Sequence, residues 1–301
     1  MARKLIAALI LITVLAGAAR ADSRETLYIY GGTIYTMHEA PIEDGIIRVE
    51  DGKITYVGRR LKVPADAFTL DATGKVITPG FVLARSSLGT VDSEARSSDA
   101  VTPGYSALDA IDLNDPGFVE ARRHGITAVH IVPPGIAPVN GTGVVLKTGG
   151  TNFRKRIVRN PGSLNINLIA GRPGNEEPGL GGFSPEVASI IAIRSRFREA
   201  ERRKSEAEAI ENANRDQVRI TSAHTEIMMK ALNQEIPVMI AAQSPTEIER
   251  GLSLAEDFTL RPVFVGVASI GQLWSRFNSH YRHLIVHSAL NLPPDPLIEP
   301  A

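Results

Sequence analysis

The 301-residue chain contains no cysteine, and that excludes disulfides, thiolate metal sites, cysteine nucleophiles and a lipid-modified cysteine. Aromatic residues make up only 5% of it, with a single tryptophan, which speaks against the stacking platforms that hold single-stranded nucleic acid. An excess of charge of either sign is missing too: 33 basic residues balance 33 acidic ones, so neither nucleic acid nor an acidic membrane surface is indicated as a partner. Long apolar runs are scarce. The clearest, Leu5 to Ala16, is shorter than the about 20 residues that a membrane-spanning helix needs. What is present is ordinary for a globular protein, with 43% hydrophobic and 22% charged residues.

Arg3 and Lys4 precede the apolar run, and Ala19-Arg20-Ala21 follows it as a small-x-small cleavage pattern. Residues 1–21 therefore read as a signal peptide, with a mature chain starting at Asp22 and exported, to a periplasm or beyond. Removing Arg3, Lys4 and Arg20 leaves 30 basic residues against 33 acidic ones, a mildly acidic product.

From Thr26 to Thr78 apolar residues alternate and glycines punctuate, which predicts short strands in a small β-sandwich or meander over 22–78. Asp51-Gly52, between Ile46–Glu50 and Lys53–Val57, is its strongest hairpin signal. Beyond Pro79 apolar runs alternate with helical stretches, the pattern of βα units around a parallel sheet. Strands are expected at Val76–Ala84, Ile126–Val132, Leu164–Ala170, Pro237–Ala241, Pro262–Val267 and Leu284–His287. One helix is expected from Pro116 to His124, with Asp115 as its cap, and a longer interrupted one from Ser184 towards Leu232. The middle of the latter, Arg194 to Arg219, is dense in Arg, Glu and Lys and reads as a solvated face. Residues 133–152 and 171–183 are rich in glycine and proline and read as loops; their glycines match neither a phosphate loop nor a dinucleotide fingerprint. Residues 291–301, with four prolines, read as an irregular tail.

The stretch Asp71-Ala72-Thr73-Gly74-Lys75-Val76-Ile77-Thr78-Pro79-Gly80-Phe81 resembles the entry to the barrel in the amidohydrolase superfamily, in particular its imidazolonepropionase-like branch. Gly31-Gly32-Thr33-Ile34, Val49-Glu50-Asp51-Gly52-Lys53-Ile54, Gly125-Ile126-Thr127-Ala128-Val129, Gly141-Thr142-Gly143-Val144-Val145-Leu146-Lys147-Thr148 and Gln234-Glu235-Ile236-Pro237-Val238 continue the likeness, roughly from Leu27 to Val267. The resemblance implies an α/β fold: a TIM-like (β/α) barrel over 79–290, preceded by a small N-terminal β-sandwich. With six strand candidates where closure takes eight, that barrel is expected to be incomplete. A second copy or an amidohydrolase paralogue is the partner that such an opening implies.

Relatives use zinc or another divalent metal to polarise a carbonyl and activate water. The resemblance implies a first ligand pair, His-x-His, just after Pro-Gly-Phe; here the triplet is Arg85-Ser86-Ser87. A guanidinium has no lone pair to offer and repels a cation. The next implied ligand positions hold Ala241 and Gln243, and Val267 ends the following strand. No metal cofactor is therefore expected. His280, His283 and His287, three and four apart, would share a helical face and could form a small metal site, yet Leu284-Ile285-Val286 reads as a strand that breaks this spacing. His130 sits in an apolar run and reads as a satisfied core or barrel-lining histidine. Lys147 reads as structural or surface. His224 and Glu226 lack a second carboxylate at useful spacing, and Ser86, Ser87 and Ser244 lack an adjacent base. Three functions stay open: an exported, non-catalytic binding module or subunit; an inactive truncated remnant; and a metal-dependent hydrolase of non-peptide C–N bonds in cyclic amides or amidines.

Overall fold

A computed structural model describes residues 26–90, 102–133, 135, 137–150, 152–169, 185–212, 222–267 and 283–286. The chain divides into two compact units, 1–79 and 80–301. In the first, β1 (Thr26–Ile34), β2 (Ile42–Glu50), β3 (Lys53–Gly58), β4 (Phe68–Asp71) and β5 (Val76–Ile77) make one mixed sheet in the order β3-β2-β1-β4, with β5 also on β1. Of the sandwich or meander that the sequence suggested, the strands form a single sheet. The β2–β3 hairpin turns at Asp51 and Gly52, both with positive φ (52° and 71°), as its tight turn requires and as glycine permits without strain.

The second unit holds β6 (Phe81–Ser86), α1 (Gly117–Arg123), β7 (Ile126–Ile131), β8 (Val139–Lys147), the single turn α2 (Phe153–Arg156), β9 (Ile157–Asn167), α3 (Pro185–Asn212), α4 (Ala223–Leu232), β10 (Val238–Ala241), α5 (Pro245–Asp257), β11 (Pro262–Val265) and β12 (Leu284–Ile285). The seven strands pair in chain order, β6 to β12, around a shared interior to which six of them contribute lining residues. Among the described residues β6 and β12 do not pair, so this is a TIM-like barrel with an open seam.

Two sequence expectations are corrected here. The run Val76–Ala84 is not one strand: proline at 79, which has no N–H to give to a ladder, separates β5 in the first unit from β6 in the second. The glycine-rich stretch read as loop over 133–152 contains the nine-residue strand β8, antiparallel to both β7 and β9. The link 132–138 is too short for a parallel crossover, which takes about a dozen residues, so the chain can only turn back.

Alternation along the strands builds two apolar layers. Leu164, Ile166, Val238, Ile240 and Phe264 point outwards into a continuous core under α3, α4 and α5, where Phe197 and Phe258 stack at 4.9 Å. A smaller cluster packs Phe118 of α1 on Val129, Ile131, Val144 and Leu146. Inside the barrel Val132, Met239 and Val265 form a third cluster. Side chains close two of the helix starts, at Asp115 as the sequence indicates and at Ser244, which the sequence reading did not assign. The Asp115 carboxylate accepts from the Gly117 amide at 2.6 Å, and Ser244 and Glu247 form a reciprocal capping box at the start of α5. In the charged stretch Phe197 and Ala200 are buried, whereas most charged side chains from Arg196 to Glu208 are exposed and tied by short-range pairs such as Arg196–Glu199 and Arg203–Glu206, each 3.2 Å; residues 213–219 of that stretch lie outside the described residues.

Candidate functional site

In barrels of this kind the C-terminal ends of the strands carry the chemistry. Here those ends surround a pocket of about 80 Å³, lined by Arg85 at the end of β6, Val132 after β7, Asn165 and Asn167 on β9, Met239 and Ala241 on β10 and Val265 on β11, with Asn140 from the start of β8. The surrounding protein desolvates the Arg85 guanidinium and lowers its pKa from the ordinary range, although the residue remains exposed at the rim. Arginine stays charged at any physiological pH regardless.

The other implied ligand positions scatter. Ser87 turns away into a tight loop in which its carbonyl accepts from the Thr90 hydroxyl at 2.6 Å. Ser86 Oγ accepts from the Leu88 amide. Gln243 is exposed, and its amide donates to Glu247 at 2.8 Å, which helps to begin α5. Val267 requires a correction: it is 1% exposed within the outward core, and the inward residue near this strand end is Val265. Strand alternation, disturbed by Gly266 at φ 83°, sends residue 267 outwards. His283 is exposed at the start of β12, while His280 and His287 lie outside the described residues. Lys147 is exposed at the end of β8; His224 and Glu226 lie exposed on α4, where Glu226 pairs with Lys230 at 2.8 Å. Among the described residues no three His, Cys, Asp or Glu side chains come close enough together to hold a metal.

The described residues of the mouth do not fit the divalent metal that the barrel entry implies. Arg85 places a fixed positive charge at the first ligand position, and Ala241 and Val265 offer no donor atom from the neighbouring strands.

Deeper in the barrel lies a polar chain that sequence reading only half anticipated. His130 on β7 is buried, its Nδ1 3.2 Å from the Ala84 carbonyl and its Nε2 3.0 Å from the Ser163 hydroxyl. A carbonyl can only accept, so Nδ1 carries a proton. Burial lowers the histidine's pKa, the bond to Ala84 opposes this, and the charge of Arg85 adds to it. The ring is then neutral, with Nε2 accepting from Ser163. Ser163 Oγ is also 3.3 Å from Asn165 Oδ1, and Asn165 Nδ2 donates to the Gly141 carbonyl at 3.1 Å. Two glycines make room for the ring: a Cβ at Gly143 would sit 2.5 Å from His130 Nε2, and one at Gly162 would sit 3.2 Å from it. Ser163 is wholly buried, so this Ser–His contact is a structural hydrogen bond within the barrel. The missed residues had a signal, since Ser163-Leu164-Asn165-Ile166-Asn167 alternates polar and apolar at the period of a strand whose inner face is polar. Below the apolar plug of Met239 and Val265 a second cavity of about 360 Å³ opens, lined in part by Ala84, His130, His283 and Ile285.

No known family profile matches the chain. It is similar to a solved amidohydrolase from Thermotoga maritima MSB8, with a TM-score of 0.77 and 25% identity over 88% of this chain and 70% of that one. It is also similar to a dihydroorotase from Anaeromyxobacter dehalogenans, 30% identical over 136 residues, or 42% of this chain and 30% of the dihydroorotase. A dihydroorotase from Mycobacterium tuberculosis is 30% identical over 118 residues, covering 35% of this chain and 27% of its own length. The matched segments thus span less than a third of these curated relatives.

Proposed function

We propose, from the premise that this chain belongs to the amidohydrolase superfamily, that it is a non-catalytic binding module or subunit whose barrel mouth no longer holds a metal. The observation that carries this reading is Arg85: a guanidinium lines the mouth pocket at the position where the superfamily's entry motif places its first histidine. Ala241 and Val265 support it, because a catalytic zinc needs about three protein ligands and neither side chain has a donor. Within the superfamily, the motif from Asp71 to Phe81 favours the imidazolonepropionase-like branch. Export of a chain beginning at Asp22 belongs to the same proposal, as does association with a paralogue or a second copy along the open seam.

Metal analysis of the purified protein, after incubation with zinc and desalting, tests the reading. Substoichiometric zinc and no turnover of cyclic amides are expected. One tightly held ion per chain, with zinc-dependent hydrolysis, would instead establish a working hydrolase of non-peptide C–N bonds.

A further inference from the structure

We propose that the mouth pocket binds the carboxylate group of a small monoanionic molecule, with Arg85 as its counter-charge. This inference rests on the metal-free reading of the same mouth and adds the chemical class of the ligand.

The pocket's charge is the first ground. Among the described residues that line it, Arg85 is the only charged one and none is a carboxylate. Among the described residues the guanidinium has no hydrogen-bond or ion-pair partner, so its five donors face solvent and the pocket. A guanidinium matches a carboxylate through two parallel hydrogen bonds, a match that a spherical ion cannot make. One positive charge neutralises one carboxylate and leaves a phosphate dianion half uncompensated.

Size is the second ground. About 80 Å³ is several times the about 10–15 Å³ that a single water needs, which leaves room for the carbon and two oxygens of a carboxylate. The remainder of a longer molecule would project through the open mouth. The walls are the third ground. Val132, Met239, Ala241 and Val265 present apolar surface that lowers the local dielectric and strengthens a charge pair. Asn165 spends one Nδ2 hydrogen on the Gly141 carbonyl, and the other is available to a ligand oxygen in the pocket that this residue lines. Asn140 is already committed through Nδ2 to the Pro133 and Gly135 carbonyls, so it holds the wall in place.

The test is saturation-transfer NMR on the full chain with acetate and butyrate as probes, with inorganic phosphate as the competing anion. Saturable acetate binding on the order of millimolar is expected, as suits so small a ligand. Arg85→Met should weaken it at least tenfold with an unchanged thermal midpoint, and equimolar phosphate should not displace it. Absence of acetate binding, or equal binding by Arg85→Met, would overturn the proposal, and so would displacement by phosphate. Should Arg85→Met fail to fold, Ala241→Leu decides the matter in the same way, because it fills the pocket and leaves the charge. The two readings fail separately: stoichiometric zinc would defeat the metal-free reading itself, whereas zinc-free protein that ignores acetate would defeat only this inference.

Discussion

The two faces of the barrel strands are under different constraints. On β10 and β11 the outward residues Val238, Ile240 and Phe264 are fully buried under three helices and could come from any well-packed barrel. The inward residues of the same strands, Met239, Ala241 and Val265, line a pocket to which, among the described residues, they offer no metal-binding side chain. Because neighbouring residues on a strand point to opposite sides, the inner face can change its chemistry while the outer face keeps the fold. Resemblance to a superfamily therefore reports mainly on the outer face, and function has to be read from the inner one.

The sharpest way to break this comparison is to truncate one residue on each face. Phe264→Ala is expected to cost about 3–5 kcal/mol, because it leaves a cavity beside Ile240 and Gly251. Arg85→Met should change stability by no more than about 0.5 kcal/mol, as at other sites without structural partners. Urea midpoints of both variants check this, and equal losses would mean that Arg85 also supports the fold.

A smaller effect should come from His130, which belongs to the inner face yet is buried like the outer one. Its pKa is lowered in the folded chain, so the unfolded chain binds more protons once the pH falls below the ordinary histidine value of about 6.5. Its contribution is complete above that pH and is lost as the pH falls through the folded value. Urea titrations at pH 8 and pH 5 should show the wild type losing stability on acidification, and His130→Gln should lose less. An identical loss in the two proteins would assign the acid sensitivity to other groups.

The smallest expected effect is none at all. Arg85→His combined with Ser87→His restores the first ligand pair in sequence, but Ser87 lies in the turn that ends at Thr90, and Ala241 and Val265 stay without donors. Assays with cyclic amides and added zinc should find no turnover. Zinc-dependent hydrolysis by this double variant would show that further ligands exist.

Much of the fold was legible in the sequence because it follows from local rules. Alternation located strands of the first unit and apolar runs most of those in the barrel, Asp51-Gly52 marked the hairpin, and Asp115 the start of α1. The triplet Arg85-Ser86-Ser87, where the resemblance implies a histidine pair, could be read directly from the sequence. Strand β8 could not be read in this way. Its glycines look like a loop until β7 and β9 are placed on either side, where Gly143 proves to be room for an imidazole. The same holds for Val267, which one irregular residue at Gly266 turned from the inner face to the outer, and for the partnership of His130 with Ser163 across 33 positions of chain. Local propensity and alternation are properties of neighbouring residues and are therefore written in the sequence. Which inward side chains meet is set by strand order and register, which exist only once the barrel has formed.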